Sequence, residues 1–248
     1  MERRITEMKK FELTNEFVVN SFGIKLFRIR SLVAFGCIKA GEQGGYVEKE
    51  ENLSQIGDAW VSGNAWVYGN AKVTGNAWVY GNARVSDNVR VSGDAKVSGN
   101  ARVSDNVRVS GDAKVSGNAW VYGNAWVHGY AKVSGNAEVY GNAEVSGNVW
   151  VSGNAEVYGN AWVSGDAEVS GNAWVSSDVD YATVKGFGRC NRNTTFFRCK
   201  DGKVCVVCGC FFGDLEEFRT IVKCTHGDGR MAMEYLAIAD LMEIHFKG

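Results

Sequence analysis

Cys205-x-x-Cys208 and Cys224-x-His226 have the spacing of zinc ligands, and together they would make a four-donor set. A plainer reading competes with it. The alternating run from Val204 to Cys210 buries its cysteines as small apolar side chains without any metal. No metal is therefore assigned, and zinc at Cys205, Cys208, Cys224 and His226 stands as the alternative. A thioredoxin-like redox pair fits less well, because Cys205-Val-Val-Cys208 sits inside a strand pattern and not at a helix N-terminus. One histidine, His128, lies in the long repeated tract described below. A general base needs an orienting partner, which the sequence alone does not name. Its slot elsewhere holds Ser, Thr or Tyr, so His128 reads as an exposed filler, and no catalytic residue is assigned.

The second set of interest is aromatic and basic. All eight tryptophans occupy one kind of position, between an alanine (or valine) and a valine. Sorting these positions by a period of 18 gives three faces. The first carries Trp66, Tyr68, Trp120, Tyr122, Tyr140, Tyr158 and Trp174. The second carries Trp126 and Trp162, and the third Trp60, Trp78, Tyr80 and Trp150. A flat aromatic face is a contact surface for another copy or a ligand. Arg84, Arg90, Lys96, Arg102, Arg108 and Lys114 form a basic collar around all three faces, and only acidic side chains follow between 136 and 184. Repeated like charges on adjacent rungs repel one another.

These positions belong to a repeat. From Ala59 to Val175 the unit Ala-x-Val-x-Gly-Asn recurs every six residues, as in Ala65-Trp66-Val67-Tyr68-Gly69-Asn70. Residues 85–101 recur identically at 103–119, so three hexads make one larger unit. Alternation sends Ala and Val inward and the two x residues outward. Gly-Asn supplies the corner. Three strands and three corners per 18 residues make a triangular coil, and coils must stack to bury the Val/Ala column. A helix is excluded, since a period of six does not match 3.6 and Gly recurs at every sixth position. The chain contains no proline and 31 glycines, which suits a backbone whose N–H groups are almost all used in ladders.

This pattern resembles the hexapeptide-repeat, left-handed parallel β-helix family. Lys39-Ala-Gly-Glu-Gln-Gly-Gly-Tyr46 and Asn52-Leu-Ser-Gln55, followed by the Gly-Asn-Ala run, are similar to uncharacterised bacterial and phage proteins of that kind. The resemblance implies the handedness, a homotrimer or other homo-oligomer, and, for the family's enzymes, acyl transfer from acyl-CoA through a histidine in an intersubunit cleft. Only His128 could take that role. Where those enzymes place Gly, Ala, Glu or Asp after the aliphatic residue, this chain has Ser or Tyr.

The expected architecture is mainly β: an N-terminal β cap over 1–54, about seven triangular coils over 55–184, and an α+β module over 185–248. In that module strands flank Asp201-Gly202, one helix starts at Asp214, and a second starts near Arg230 with Met233, Leu236, Ala237, Leu241 and Ile244 on its apolar face. The module resembles one that recurs in phage-associated proteins through Cys208-Gly-Cys-Phe211 and Thr225-His226-Gly227. The functional expectation is a non-catalytic, self-associating rod that presents this module. The alternatives are an acyltransferase using His128 and a phage protein that sequesters a small host molecule between subunits. No cofactor is assigned. A host protein or small ligand is a further candidate partner, while a net charge of −1 gives no reason to expect nucleic acid or membrane. The charged opening Met1-Glu2-Arg3-Arg4 lacks an apolar leader, which points to the cytoplasm and to reduced thiols.

Overall fold

The computed structural model describes residues 9–188 and 191–247; Met1–Arg4 and Cys190 lie outside them. The repeat folds into a parallel solenoid of about seven coils, with three short rungs per coil. The rungs pair at an offset of 18. Trp66 pairs with Arg84, Arg84 with Arg102, and Arg102 with Trp120. Every inward Val and Ala from Ala59 to Val175 is at most 1% exposed, including Val89, Val107 and Val149, which replace alanine. Each buried valine contributes about 1.5–3 kcal/mol, so the column holds the coils together.

Corner geometry explains the glycines. Gly117 has φ +68°, and a Cβ there would lie 2.9 Å from the backbone N of Gly135 in the next coil. Asp87 and Asp105 break the rule at φ 62° and 65°. Their carboxylates compensate: Asp105 Oδ2 accepts the N–H of Gly123 at 2.9 Å, one coil on.

Both ends are closed. At the N-terminal end, β1 (Phe11–Val19) and β2 (Lys25–Ser31) form an antiparallel hairpin, and β3 (Gln43–Val47) joins it to the first face. The Lys10 amine donates to the carbonyls of Ala59 (2.9 Å) and Gly57 (3.0 Å). Burial pulls its pKa down to about 8, with Asp58 opposing. Asn52 Nδ2 donates to Ala71 O at 2.9 Å. Trp60 is fully buried beneath this cap, edge-on to Phe35, although its sequence slot faces outward. The cap converts an outside position into core, and hexad periodicity carries no signal of that.

At the C-terminal end the amides that would pair with a further coil meet side chains instead. Trp162 N–H donates to Asp178, Ser164 N–H to Tyr181 Oη and Glu168 N–H to Thr195 Oγ1. Ser176 N–H donates to Asp180. Burial would raise the Asp180 carboxyl, but hydrogen bonds from Ser176 and Ser177 hold it below its ordinary value.

Beyond this lies a four-stranded antiparallel sheet: β4 (Tyr181–Phe187), β5 (Arg192–Arg198), β6 (Val204–Cys208) and β7 (Phe211–Asp214). The sequence pattern gives β5 and β6 and misses the two edge strands. β7 is only four residues long and contains Gly213. Helices α1 (Leu215–His226) and α2 (Arg230–His245) pack on the sheet, and α1 opens on a capping box made by Asp214 and Glu217. The expected apolar face of α2 is overturned except at Leu236, which packs partly against the core. Ala232, Tyr235, Ile238, Ala239 and Met242 are buried, whereas Met233, Leu241 and Ile244 are 57–72% exposed. Both faces of this helix are apolar, so periodicity did not identify the one that meets β4 and α1.

Candidate functional site

The register sorts the outward side chains into the three columns that the period of 18 implies, and each column has its own chemistry. On the first face the rings of Tyr122, Tyr140, Tyr158 and Trp174 stack continuously, with Trp120 tilted against Tyr122 at one end; the centroid separations from Trp120 onward are 4.6, 4.8, 5.1 and 5.8 Å. Tyr122 Oη donates to Glu138 at 3.3 Å and Tyr140 Oη to Glu156 at 3.0 Å. Burial, reinforced by Glu138, pushes the Tyr122 phenol up to about 12. Burial and Glu156 raise Tyr140 as well. The three tyrosines are partly covered, while the terminal indoles of Trp120 and Trp174 remain 42% and 45% exposed.

Charge divides along the axis, and the two halves differ in how they are paired. In the acidic half, Glu144 meets His128 (2.9 Å), Glu156 meets Lys200, Asp166 meets Lys185 (2.7 Å) and Asp180 meets Arg198 (3.0 Å). The last three cations come from the C-terminal module. In the basic half, Lys72, Arg84, Arg90, Lys96, Arg102, Arg108, Lys114 and Lys132 have no carboxylate within 4.0 Å among the described residues. They also stack on one another in register: Arg84 on Arg102, Arg90 on Arg108, and Lys96 on Lys114 on Lys132. Arg84 additionally lies 4.5 Å over the Trp66 ring.

Among the clefts on this half are two that hold stacked basic side chains. One, of about 890 Å³, lies along the third face and is lined by Trp78, Lys96, Lys114 and Lys132 together with Asp94 and Asp112. The other, of about 400 Å³, lies on the first face and is lined by Arg84, Arg102, Trp120 and Tyr68, with Ser86, Ser104 and Asp87. Ser21 and Phe22, at the tip of the β1–β2 hairpin, also line it. The repeat itself has no loop excursion, so the sequence reading placed no enclosed site on the solenoid; it set Asp87 near the basic half but missed Phe22 and the two serines. Two φ-positive aspartates in place of corner glycines were the available signal.

His128 has the orienting partner that a general base requires, since Nε2 lies 2.9 Å from Glu144 Oε1. Its ring stacks on Trp126 at 4.1 Å. This pair sits on the second face, away from both clefts. In the C-terminal module Cys205 is joined to Cys199, so it does not stand with Cys208, Cys224 and His226. Among the described residues no group of three or more His, Cys, Asp or Glu side chains assembles as a metal site. Cys208 and His226 instead line a small apolar cavity of about 350 Å³ with Phe211, Phe218 and Tyr235. No helix among the described residues is long and apolar enough to cross a membrane.

With this geometry in place, residues 65–81, 77–93, 83–99, 95–111, 101–117 and 113–129 match the family model described as the YdcK beta solenoid repeat. These windows cover about a quarter of the chain. No curated protein matches it. The repeat match and the coil geometry agree that this is a β-solenoid repeat protein.

Proposed function

We propose that this chain is a non-catalytic rod that associates laterally with copies of itself and presents its C-terminal module to a partner. The aromatic stack on the first face carries the reading, because it ends in two indoles that water wets and that flat-to-flat packing would bury. End-to-end growth is disfavoured, since Lys10 and Asn52 at one end, and Asp178, Asp180 and Thr195 at the other, occupy groups that another coil would need. Lateral contact remains, and a closed trimer is the form that the family resemblance implies. The exposed Met233, Leu241 and Ile244 on α2 are the module's contact surface.

The test is the mass in solution by light scattering. The wild type should exceed the 27.0 kDa of one chain. Replacing Trp120 and Trp174 together by serine should reduce it to the monomer, while replacing Trp162 on the second face should not. A monomeric wild type, or an unchanged mass in the double variant, would refute the proposal.

A second reading rests on the His128–Glu144 pair, which is oriented as an acyltransferase base would be. Acetyl-CoA should then raise the melting temperature of the wild type and leave that of His128→Ala unmoved. No shift with wild type would remove this reading.

A further inference from the structure

The basic half holds its charges in a costly arrangement. Arg84 and Arg102 are register partners about 4.8 Å apart, with no carboxylate against either among the described residues. That spacing is the backbone's; the Arg84 guanidinium lies 4.5 Å over the Trp66 ring, and both arginines line one cleft, where they offer forked N–H donors and two positive charges to one dianion. The same arginine pairing occurs on the second face at Arg90 and Arg108, so pairing alone does not single out a site. What distinguishes the first face is the wall around its pair. Trp120 and Tyr68 line the cleft alongside the two arginines, and Phe22 faces it from the hairpin tip.

That tip is built to hold its place. Asn20, 8% exposed, accepts the N–H groups of Phe22 and Ile24 on its side-chain oxygen, both at 2.9 Å. Phe22 is nevertheless 78% exposed, an apolar ring lining the same cleft as the two arginines. The one acid lining the cleft is engaged by its neighbours: Asp87 Oδ2 accepts the hydroxyl of Ser86 at 2.7 Å and lies 3.4 Å from the amide of Asp105. Ser104 adds a hydroxyl near the arginines. A volume of about 400 Å³ is within the range of small-molecule sites.

We infer that this cleft binds a small phosphomonoester carrying a planar ring, with Arg84 and Arg102 on the phosphate and Phe22 and Trp120 against the ring. The site is complete in one chain, and because Trp120 also belongs to the face proposed for self-association, ligand binding and association through that face compete. Inorganic phosphate satisfies only the arginines and binds more weakly; a ring without phosphate meets only the aromatic side chains.

The experiment is calorimetric titration of the full chain with four probes: adenosine monophosphate, phenyl phosphate, adenosine and inorganic phosphate. The two ring phosphates should bind at least about tenfold more tightly than either fragment. Which of the two is tighter tells a nucleotide from a simpler aryl phosphate. Arg102→Gln should weaken ring-phosphate binding about tenfold, and Phe22→Ala, at an exposed tip that the fold does not need, about fivefold. Arg108→Gln on the second face should leave it unchanged. No binding of either ring phosphate in the millimolar range overturns the inference. So does equal weakening by Arg102→Gln and Arg108→Gln, which would mean that the collar attracts anions without a site.

Discussion

Replacing Gly117 by alanine tests the corner on which the whole solenoid turns. At φ +68° an alanine has a left-handed backbone, which costs about 1–2 kcal/mol. Its Cβ would also meet Gly135 N and O, both at 2.9 Å, closer than a Cβ approaches backbone, so the next coil must shift. The stiffer unfolded chain returns about 0.4–1 kcal/mol. The net loss should be about 1–3 kcal/mol, read from urea midpoints at constant slope. Aspartate at the same position should lose less, although its side chain is larger. Asp105 shows why, since its carboxylate accepts the amide of the following coil at 2.9 Å. One such hydrogen bond returns about 1 kcal/mol. The expected order is wild type, then Gly117→Asp, then Gly117→Ala. An alanine variant as stable as the wild type, or an aspartate variant less stable than the alanine one, would refute the account of the corner.

Two further predictions concern titration. The Lys10 amine is pulled down to about 8 from the 10.5 of a free lysine, so the unfolded chain binds more protons between those values and stability should rise with pH across that window. The stability of the wild type minus that of Lys10→Met should therefore grow from about pH 7.5 to 10, and a flat or falling difference would count against the buried amine. Tyr122 is raised to about 12, so its stabilisation is complete below pH 10 and is lost as pH climbs through 12. Absorbance at phenolate wavelengths should show this residue ionising late, and Glu138→Gln should bring it earlier. An ordinary midpoint of about 10 in the wild type would show that the stack does not bury the phenol.

The solenoid was legible because its information is local and repeated. Six-residue spacing placed Val and Ala inside, and the period of 18 sorted the faces into the columns found in the register, from Trp66 and Arg84 through Arg102 to Trp120. A diagonal rule was present but unread: residues 16 apart touch across adjacent coils, as Tyr122 with Glu138, His128 with Glu144, and Ser110 with Trp126. That rule would have supplied the partner of His128. What stayed hidden depends on contacts between segments that share no periodicity. Trp60 is buried because Phe35 covers it, and Arg84 and Arg102 lie in a cleft because a hairpin some sixty residues upstream reaches them. The buried face of α2 was likewise decided by β4 and α1, since its own sequence is apolar on both sides.

The unequal treatment of the two halves connects the architecture to function. Parallel stacking forces identical positions into columns, so any charge that repeats every 18 residues must stand on its own kind. The acidic side chains escape this penalty here in two ways: tyrosine and histidine from the preceding coil reach glutamates diagonally, and from the module beyond Lys200 meets Glu156 while Lys185 and Arg198 meet Asp166 and Asp180. The basic columns have neither device. Serine or threonine commonly occupies the slots beside them, as at Ser86, Ser104 and Ser110, where the acidic half has Tyr140 and Tyr158. Had these cations served only solubility, alternating them with acids along each column would give the same hydration without repulsion. Leaving Arg84 and Arg102 stacked, unpaired and bordered by Trp120, Tyr68 and Phe22 lowers the stability of the empty rod and raises that of an anion-filled one.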